Sequence, residues 1–344
     1  MSRRSLPLSG PFSRNDANSY VIQKSGHSMT RISEVRRELE KTLREQHERG
    51  GKHLVLSSPH VLYATEDQAA LFAEATAQNP DYQGSISGPI DRLLQRYIAD
   101  GIDDIYANVD LIDLGPGCDT RSLYIADNLR KKGHPVRYHA VDVSPEFLNH
   151  AVTAAKKQDF DAGRFECRFE DLPPIVEARL GSDSARIVFL GLTFNNFPVE
   201  HISGILARLT RAKDTCLICT QLPDGIDSAG LVSPYSGWKA FRFGFQPLSI
   251  LGIRPEQVSY HPAFYDNAIN IDFKLEQGVR LGSLALEAGT IITTSRSFRY
   301  PLATLNEALE CKFLVRKMLL DNESNIALFA LRGRADENAF IGKG

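Results

Sequence analysis

The stretch Val109-Asp110-Leu111-Ile112-Asp113-Leu114-Gly115-Pro116-Gly117-Cys118-Asp119-Thr120-Arg121 decides the fold. Its apolar run reads as a buried strand. Gly115 and Gly117 let the backbone turn sharply and approach a ligand where a Cβ would clash. Asp119 or Thr120 is placed to cap a following helix, whose first N–H groups then face that ligand. Together these are the first βα turn of a nucleotide-binding α/β domain.

The nucleotide follows from what the turn lacks. A dinucleotide fold asks for G-x-G-x-x-G, whose third glycine gives close helix packing. Thr120 holds that third position, which speaks against NAD. Further on, His139-Ala140-Val141-Asp142-Val143-Ser144 reads as the end of a second strand, where the Asp142 carboxylate can accept both hydroxyls of a ribose. A glycine turn plus an acidic strand end, without the third glycine, suits S-adenosylmethionine (SAM), which has no pyrophosphate to cradle.

Composition narrows the class. The chain has 344 residues, 42% of them hydrophobic, enough for one large or two modest domains with a sizeable core. A formal net charge of −2 gives no electrostatic case for a nucleic-acid partner. Arg36, Arg37 and Lys41 are interleaved with Glu34, Glu38, Glu40 and Glu45, the pattern of a solvated helix face. Five scattered cysteines, an odd number, fit a reduced, cytoplasmic setting. Cys216 and Cys219 form a C-x-x-C inside an apolar run and read as buried strand cysteines rather than a zinc or redox site. The nine histidines show no ligand spacing, so no metal is expected. No apolar stretch reaches membrane-spanning length. Arg3 and Arg4 are followed by Ser, Pro and Asn rather than the apolar core of a signal peptide, so no membrane partner is expected.

Along the chain, polar residues 1–30 read as a flexible arm. Ser33 is placed to cap a charged helix to Glu48, and a second helix spans Asp67 to Thr76. Asn79 to Gly84 reads as a loop. Pro89 opens an amphipathic helix that Gly101 ends. Strands at 109–114, 136–142, 164–169, 186–190 and 215–221 then alternate with helices, the rhythm of a parallel α/β sheet. Asp113, Gly115, Asp142, Glu170, Asp171 and Asn196 fall at the strand ends where such sheets bind ligands. Residues 223–296 lack that rhythm and are rich in Gly, Pro and aromatics. A strand at 291–300, a helix from a Thr304–Glu307 capping box to Leu320 and a strand at 325–332 follow. The expected organisation is a nucleotide-binding domain of residues 31–222 plus 297–334, with residues 223–296 inserted over its ligand edge.

Further pieces lie in a fixed order: Tyr63 ahead of Leu71-Phe72, Pro80-Asp81-Tyr82, Asp113-Leu114-Gly115-Pro116-Gly117 through Thr120-Arg121, Asp142, Leu190-Gly191-Leu192-Thr193-Phe194-Asn195-Asn196-Phe197, Tyr235, and Thr294 through Tyr300. In this order they resemble the motifs of the histidine-specific, SAM-dependent Nα-methyltransferases, whose best-known member makes trimethylhistidine on the route to ergothioneine. The resemblance runs over residues 58–332. It implies a Rossmann-like class I SAM-dependent methyltransferase sheet with an inserted α+β substrate-binding cap. It implies that Tyr63, Asp113, Gly115, Gly117, Arg121, Asp142 and Ser144 hold SAM, with Phe169, Glu170 and Asp171 bracketing the adenine. Tyr82, Asn196 and Tyr235 then hold the amine and carboxylate of an amino-acid-like small molecule, with Ser295 and Ser297 at its side chain. Arg299 falls on the family's lysine.

The chain also departs from that pattern. Ser295 stands where the family has the glutamate that grips the imidazole, and a serine hydroxyl is a weaker anchor than a carboxylate. Gln83 replaces a second tyrosine, and Tyr235-Ser236-Gly237 replaces Tyr-Asp-Asp. The insertion supplies Trp238, Phe241, Phe243, Phe245 and Phe273 instead, which favours a larger or more apolar acceptor side chain. The expected activity is methylation of the amino group of a free amino acid or close derivative by direct displacement. The alternatives are a non-amino-acid acceptor of secondary metabolism, on nitrogen or oxygen, and SAM binding without turnover.

Overall fold

The computed structural model describes residues 26–56, 58–63, 65–77, 79–100 and 108–334. Its strands are β1 His53–Val55, β2 Val109–Leu114, β3 Val136–Asp142, β4 Asp161–Glu166, β5 Ala185–Leu190, β6 Thr215–Gln221, β7 Val258–Tyr265, β8 Ala268–Leu275, β9 Val279–Leu281, β10 Leu284–Leu286, β11 Ile291–Phe298, β12 Phe313–Asp321 and β13 Ile326–Gly333.

The main sheet runs β12-β13-β6-β5-β2-β3-β4. β2 pairs in parallel with both β3 and β5, and β4 and β6 extend the parallel run. β13 inserts antiparallel between β6 and β12. This is the doubly wound α/β sheet that the βα rhythm predicts. Its strand order reverses between β2 and β5, which opens the ligand crevice over their carboxyl ends.

Side chains alternate along a strand, so each strand feeds two cores. Val109 and Leu111 of β2 pack with helices Gly88–Ala99, Arg121–Lys131 and Pro145–Lys156 on one face. Ile112 and Leu114 pack with Leu172–Arg179, Val199–Leu209 and Leu302–Glu310 on the other. The same alternation puts Cys219 in the first core and Cys216 in the second, so the C-x-x-C spacing holds its thiols on opposite faces of β6.

A second sheet runs β1-β11-β8-β7. β1 joins it in parallel with β11, so this layer draws on the N-terminal part of the chain as well as on residues 258–298. Helices Gly26–Glu48 and Trp238–Ile250 cover it, around Leu39, Leu43, Leu54, Phe245, Leu248 and Phe273.

Several local expectations change. The first helix begins at Gly26, inside the expected arm; residues 1–25 and Gly101 lie outside the described residues. Asn79 to Gly84 is not a loop. The Asn79 side chain accepts the Tyr82 N–H at 3.2 Å, Pro80 sits in the first turn, and a helical path continues through a π-helical stretch, Gln83–Ser87, into Gly88–Ala99. Pro89 has no N–H to donate and its ring crowds the preceding turn, which the wider π turn accommodates. β4 begins three residues before the expected strand. The helix expected to run to Leu320 is Leu302–Glu310, with Pro301 at its cap position and the Leu302 N–H bound to Asp224 Oδ2 at 3.1 Å. Residues 313–321 form β12, whose bulge between Val315 and Lys317 blurs the two-residue alternation.

Candidate active site

A cavity of about 590 Å³ lies between the carboxyl edge of the main sheet and the second sheet. Its floor is the glycine turn. Gly115 and Gly117 have φ of +64° and +57°, backbone positions that L side chains rarely adopt. Neither expected cap forms. Thr120 takes the cap position without a side-chain bond, and Asp119 pairs with Arg121. Arg121 also binds Asp91 at 2.7 Å and Ser87 Oγ, tying the turn to the π-helical segment. Arg121 lines the cavity with its guanidinium braced by these three partners.

Two buried carboxylates sit at the ends of β2 and β3. Asp142 accepts the Ser144 N–H on Oδ1 at 2.8 Å, and burial pushes its carboxyl up to about 7. Asp113 accepts the hydroxyls of Ser122 and of Tyr138, the latter at 2.6 Å, and burial raises it to about 6 despite those bonds. Both line the cavity.

An aromatic cluster closes one side. The rings of Tyr63 and Phe72 meet edge to face at 5.4 Å, and Phe243 lies 5.6 Å from each. Phe147 completes the group, 5.7 Å from Phe72. Asn196 lines the cavity with Tyr63. Phe72 and Phe147 were not singled out from sequence, although Phe72 belongs to the Leu-Phe pair. Of Trp238, Phe241, Phe243, Phe245 and Phe273, Phe243 lines the cavity.

Tyr82, packed against the main-sheet core, and Asn196, in the turn after β5, line the same cavity, as do Tyr235, Ser295 and Ser297. Arg299 reaches Tyr235 Oη at 3.1 Å and Ser297 Oγ at 2.9 Å. Phe169 and Glu170 line the cavity below, Phe169 against Phe197 at 5.7 Å and Glu170 paired with His201 at 2.8 Å.

Three expected site residues lie elsewhere. Ser144 is buried as the helix cap that accepts the Phe147 N–H, so it orients the Asp142 turn from behind. Asp171 is not on the cavity wall; it takes the cap position of Leu172–Arg179. Phe273 is fully buried among Phe241, Phe245 and Tyr260 and belongs to the second sheet's core. Trp238 is 68% exposed and stacks on Phe241.

These residues fit SAM. A cradle that a Cβ would fill, a buried carboxylate with one oxygen committed to the backbone, and an aromatic wall match a glycine-bound nucleoside with a ribose and a soft sulfonium. Among the described residues no group of three or more His, Cys, Asp or Glu is placed to hold a metal ion, and no helix is long and apolar enough to cross a membrane.

Comparison with known proteins carries the fit to a family. No curated protein matches the sequence. Similar solved structures include the PH0226 protein of Pyrococcus horikoshii OT3, at 12% identity over 78% of this chain and 99% of that one, with a TM-score of 0.44. An S-adenosylmethionine-dependent methyltransferase from Clostridium acetobutylicum is similar at 12% identity, covering 77% and 97%, with a TM-score of 0.40. Geranyl diphosphate C-methyltransferase from Streptomyces coelicolor is similar at 10% identity, covering 74% and 81%, with a TM-score of 0.41. The sequence profile described as "Histidine-specific methyltransferase, SAM-dependent" matches residues 37–232, more than half of the chain. The chain therefore belongs to the histidine-specific, SAM-dependent methyltransferase family, an enzyme family with a Rossmann-like class I sheet and SAM as its methyl donor.

Proposed function

We propose that the enzyme methylates the amino group of a free amino acid or close derivative. The observation that carries this reading is the meeting of Tyr82, Asn196 and Tyr235 around one cavity beside the glycine turn. These are neutral donors and acceptors, suited to orienting an amine and a carboxylate. Bound SAM supplies an electrophilic methyl group on a sulfonium. The amine nitrogen forms the new N–C bond as the S–C bond breaks, with its electron pair returning to sulfur. That nitrogen must first lose its proton. Burial pushes the Tyr63 and Tyr82 hydroxyls well above the ordinary phenol range, so neither is a base at neutral pH and the proton goes to water. Positioning then supplies most of the acceleration. We assign SAM to the main sheet, through Asp142 and the glycine turn, and the acceptor to the second sheet with helix Trp238–Ile250.

The test is product mass spectrometry on purified protein incubated with SAM and a pool of free amino acids that includes histidine and the aromatics. A methylated amino acid supports the reading. SAM binding with no product from the pool overturns it in favour of a different acceptor or a non-catalytic binder.

A further inference from the structure

The charges on the cavity wall are unevenly matched. Arg121 has Asp91 and Asp119, His60 and Arg168 share Glu38, and His201 has Glu170. Two other arginines line the cavity, Arg296 in β11 and Arg299 just beyond it. Arg299 is 1% exposed. Its Nε donates to Gln221 Oε1 at 3.0 Å, Nη1 to Ser297 Oγ at 2.9 Å and the Phe298 carbonyl at 2.8 Å, and Nη2 to Tyr235 Oη at 3.1 Å. All four acceptors are neutral. Arg296 gives its Nε to Asn270 Oδ1 at 3.0 Å and lies 4.9 Å over the Phe298 ring. The carboxylates lining the cavity, Asp113, Asp119, Asp142 and Glu170, all belong to the carboxyl edge of the main sheet.

A buried guanidinium among neutral partners bears its desolvation cost without an opposite charge. Four of its five N–H donors are committed to Gln221, Ser297, Phe298 and Tyr235, which leaves one N–H on Nη2, with the full positive charge, for a carboxylate. Tyr235 Oη accepts from Arg299, which leaves its own O–H to donate, again toward an anion. Resting on the reading that this cavity holds the acceptor amine, we propose that Arg299 is the specificity-determining anchor for a carboxylate of the acceptor. Tyr235 supplies a second donor, and Arg296 makes that wall hostile to a cationic side chain.

Two measurements test this. In the first, the wild-type enzyme with SAM is offered glutamate, glutamine, histidine, phenylalanine and the α-amide of each. Methylation of acids but not α-amides shows that the α-carboxylate is required, and the R299Q variant then decides whether Arg299 holds it. Preference for glutamate and its α-amide over glutamine places a side-chain carboxylate there. Equal turnover of acids and amides, with no such preference, overturns the proposal and leaves amino methylation standing. For an acid that is turned over, R299Q is expected to raise KM about 100-fold with little change in kcat, and R299K to fall between. An unchanged S-adenosylhomocysteine affinity shows that both variants are folded; an unchanged KM in R299Q overturns the proposal.

The second needs no turnover. The thermal midpoint of the S-adenosylhomocysteine complex is read in succinate and in sodium chloride of equal ionic strength. A rise with succinate in the wild type that R299Q lacks supports the anion site, even if no amino acid is methylated and that reading falls. No rise in the wild type, with no acid methylated, overturns the proposal.

Discussion

The Thr193 hydroxyl donates to the Gly115 carbonyl at 3.3 Å, and a Cβ on Gly115 would sit 2.8 Å from that same hydroxyl oxygen. Thr193 follows β5 and Gly115 follows β2, so this contact spans the point where the strand order reverses. G115A must therefore bear both a left-handed backbone and a clash, together about 2–4 kcal/mol. G117A bears the backbone term but meets only Phe72 Cε1, at 3.4 Å. Calorimetric titration with S-adenosylhomocysteine should show G115A weakened about 30- to 1,000-fold and G117A about tenfold. Equal losses would mean that Thr193 does not set the shape of the cradle.

Asp142 makes cofactor affinity depend on pH. Burial holds its carboxyl near 7 in the free protein, above the unfolded value of about 4. Ribose hydroxyls donate to the ionised form, so SAM affinity falls as pH drops through 7, by about tenfold between pH 8 and pH 6. The sign for folding is opposite. The folded apo-protein binds more protons than the unfolded chain between about 4 and 7, so this group's contribution to stability is lost as pH rises through that window. D142N should bind SAM about 10- to 100-fold more weakly and remove the pH dependence of binding. A D142N affinity that still falls tenfold toward pH 6 would place the titrating group elsewhere.

The bridge from Arg121 to Asp91 joins the helix after the glycine turn to the helix that follows Tyr82. Both side chains are largely shielded. Asp91→Ala leaves Arg121 with Asp119 and Ser87 alone, at a cost of about 1–3 kcal/mol in stability. For a chain of this size the thermal midpoint should fall by a few degrees. Because the bridge also braces the π-helical segment behind Tyr82, acceptor KM should rise more than S-adenosylhomocysteine Kd. Parallel rises in both would assign Asp91 to the cradle instead.

What was legible in the sequence was local. The strand, glycine turn and helix at 109–131 show within a short window because apolar run, glycines and periodicity agree. The position of Asp142 was legible for the same reason, since it closes β3, whereas Asn196, in the turn after β5, owed its assignment to the family resemblance. Contacts made across the fold were not. Nothing near Arg299 in sequence announces Gln221 or Tyr235, and nothing near Gly115 announces Thr193. Aromatic content could not tell a cavity wall from a core, which is why Phe273 was expected in the site while Phe72 and Phe147 were passed over. Turn residues misled at Asn79-Pro80, since the pair that opens a loop also caps a helix. The bulge in β12 hid a strand behind a good capping box.

The proton scheme gives the enzyme a pH–rate profile. If the acceptor amine loses its proton to water before transfer, kcat/KM rises with pH, about tenfold per unit between pH 6 and 8, until the amine's own pKa is reached. The measurement belongs at saturating SAM, where the ionisation of Asp142 no longer limits binding. Tyr82 orients the lone pair in this scheme, with its hydroxyl held neutral by burial. Y82F should lower kcat about 3- to 30-fold and keep the slope. Were Tyr82 the base, its removal would abolish the slope along with the rate. A flat wild-type profile from pH 6 to 9 would reject deprotonation by water altogether and require a base that none of Tyr63, Tyr82, Asn196 or Tyr235 supplies.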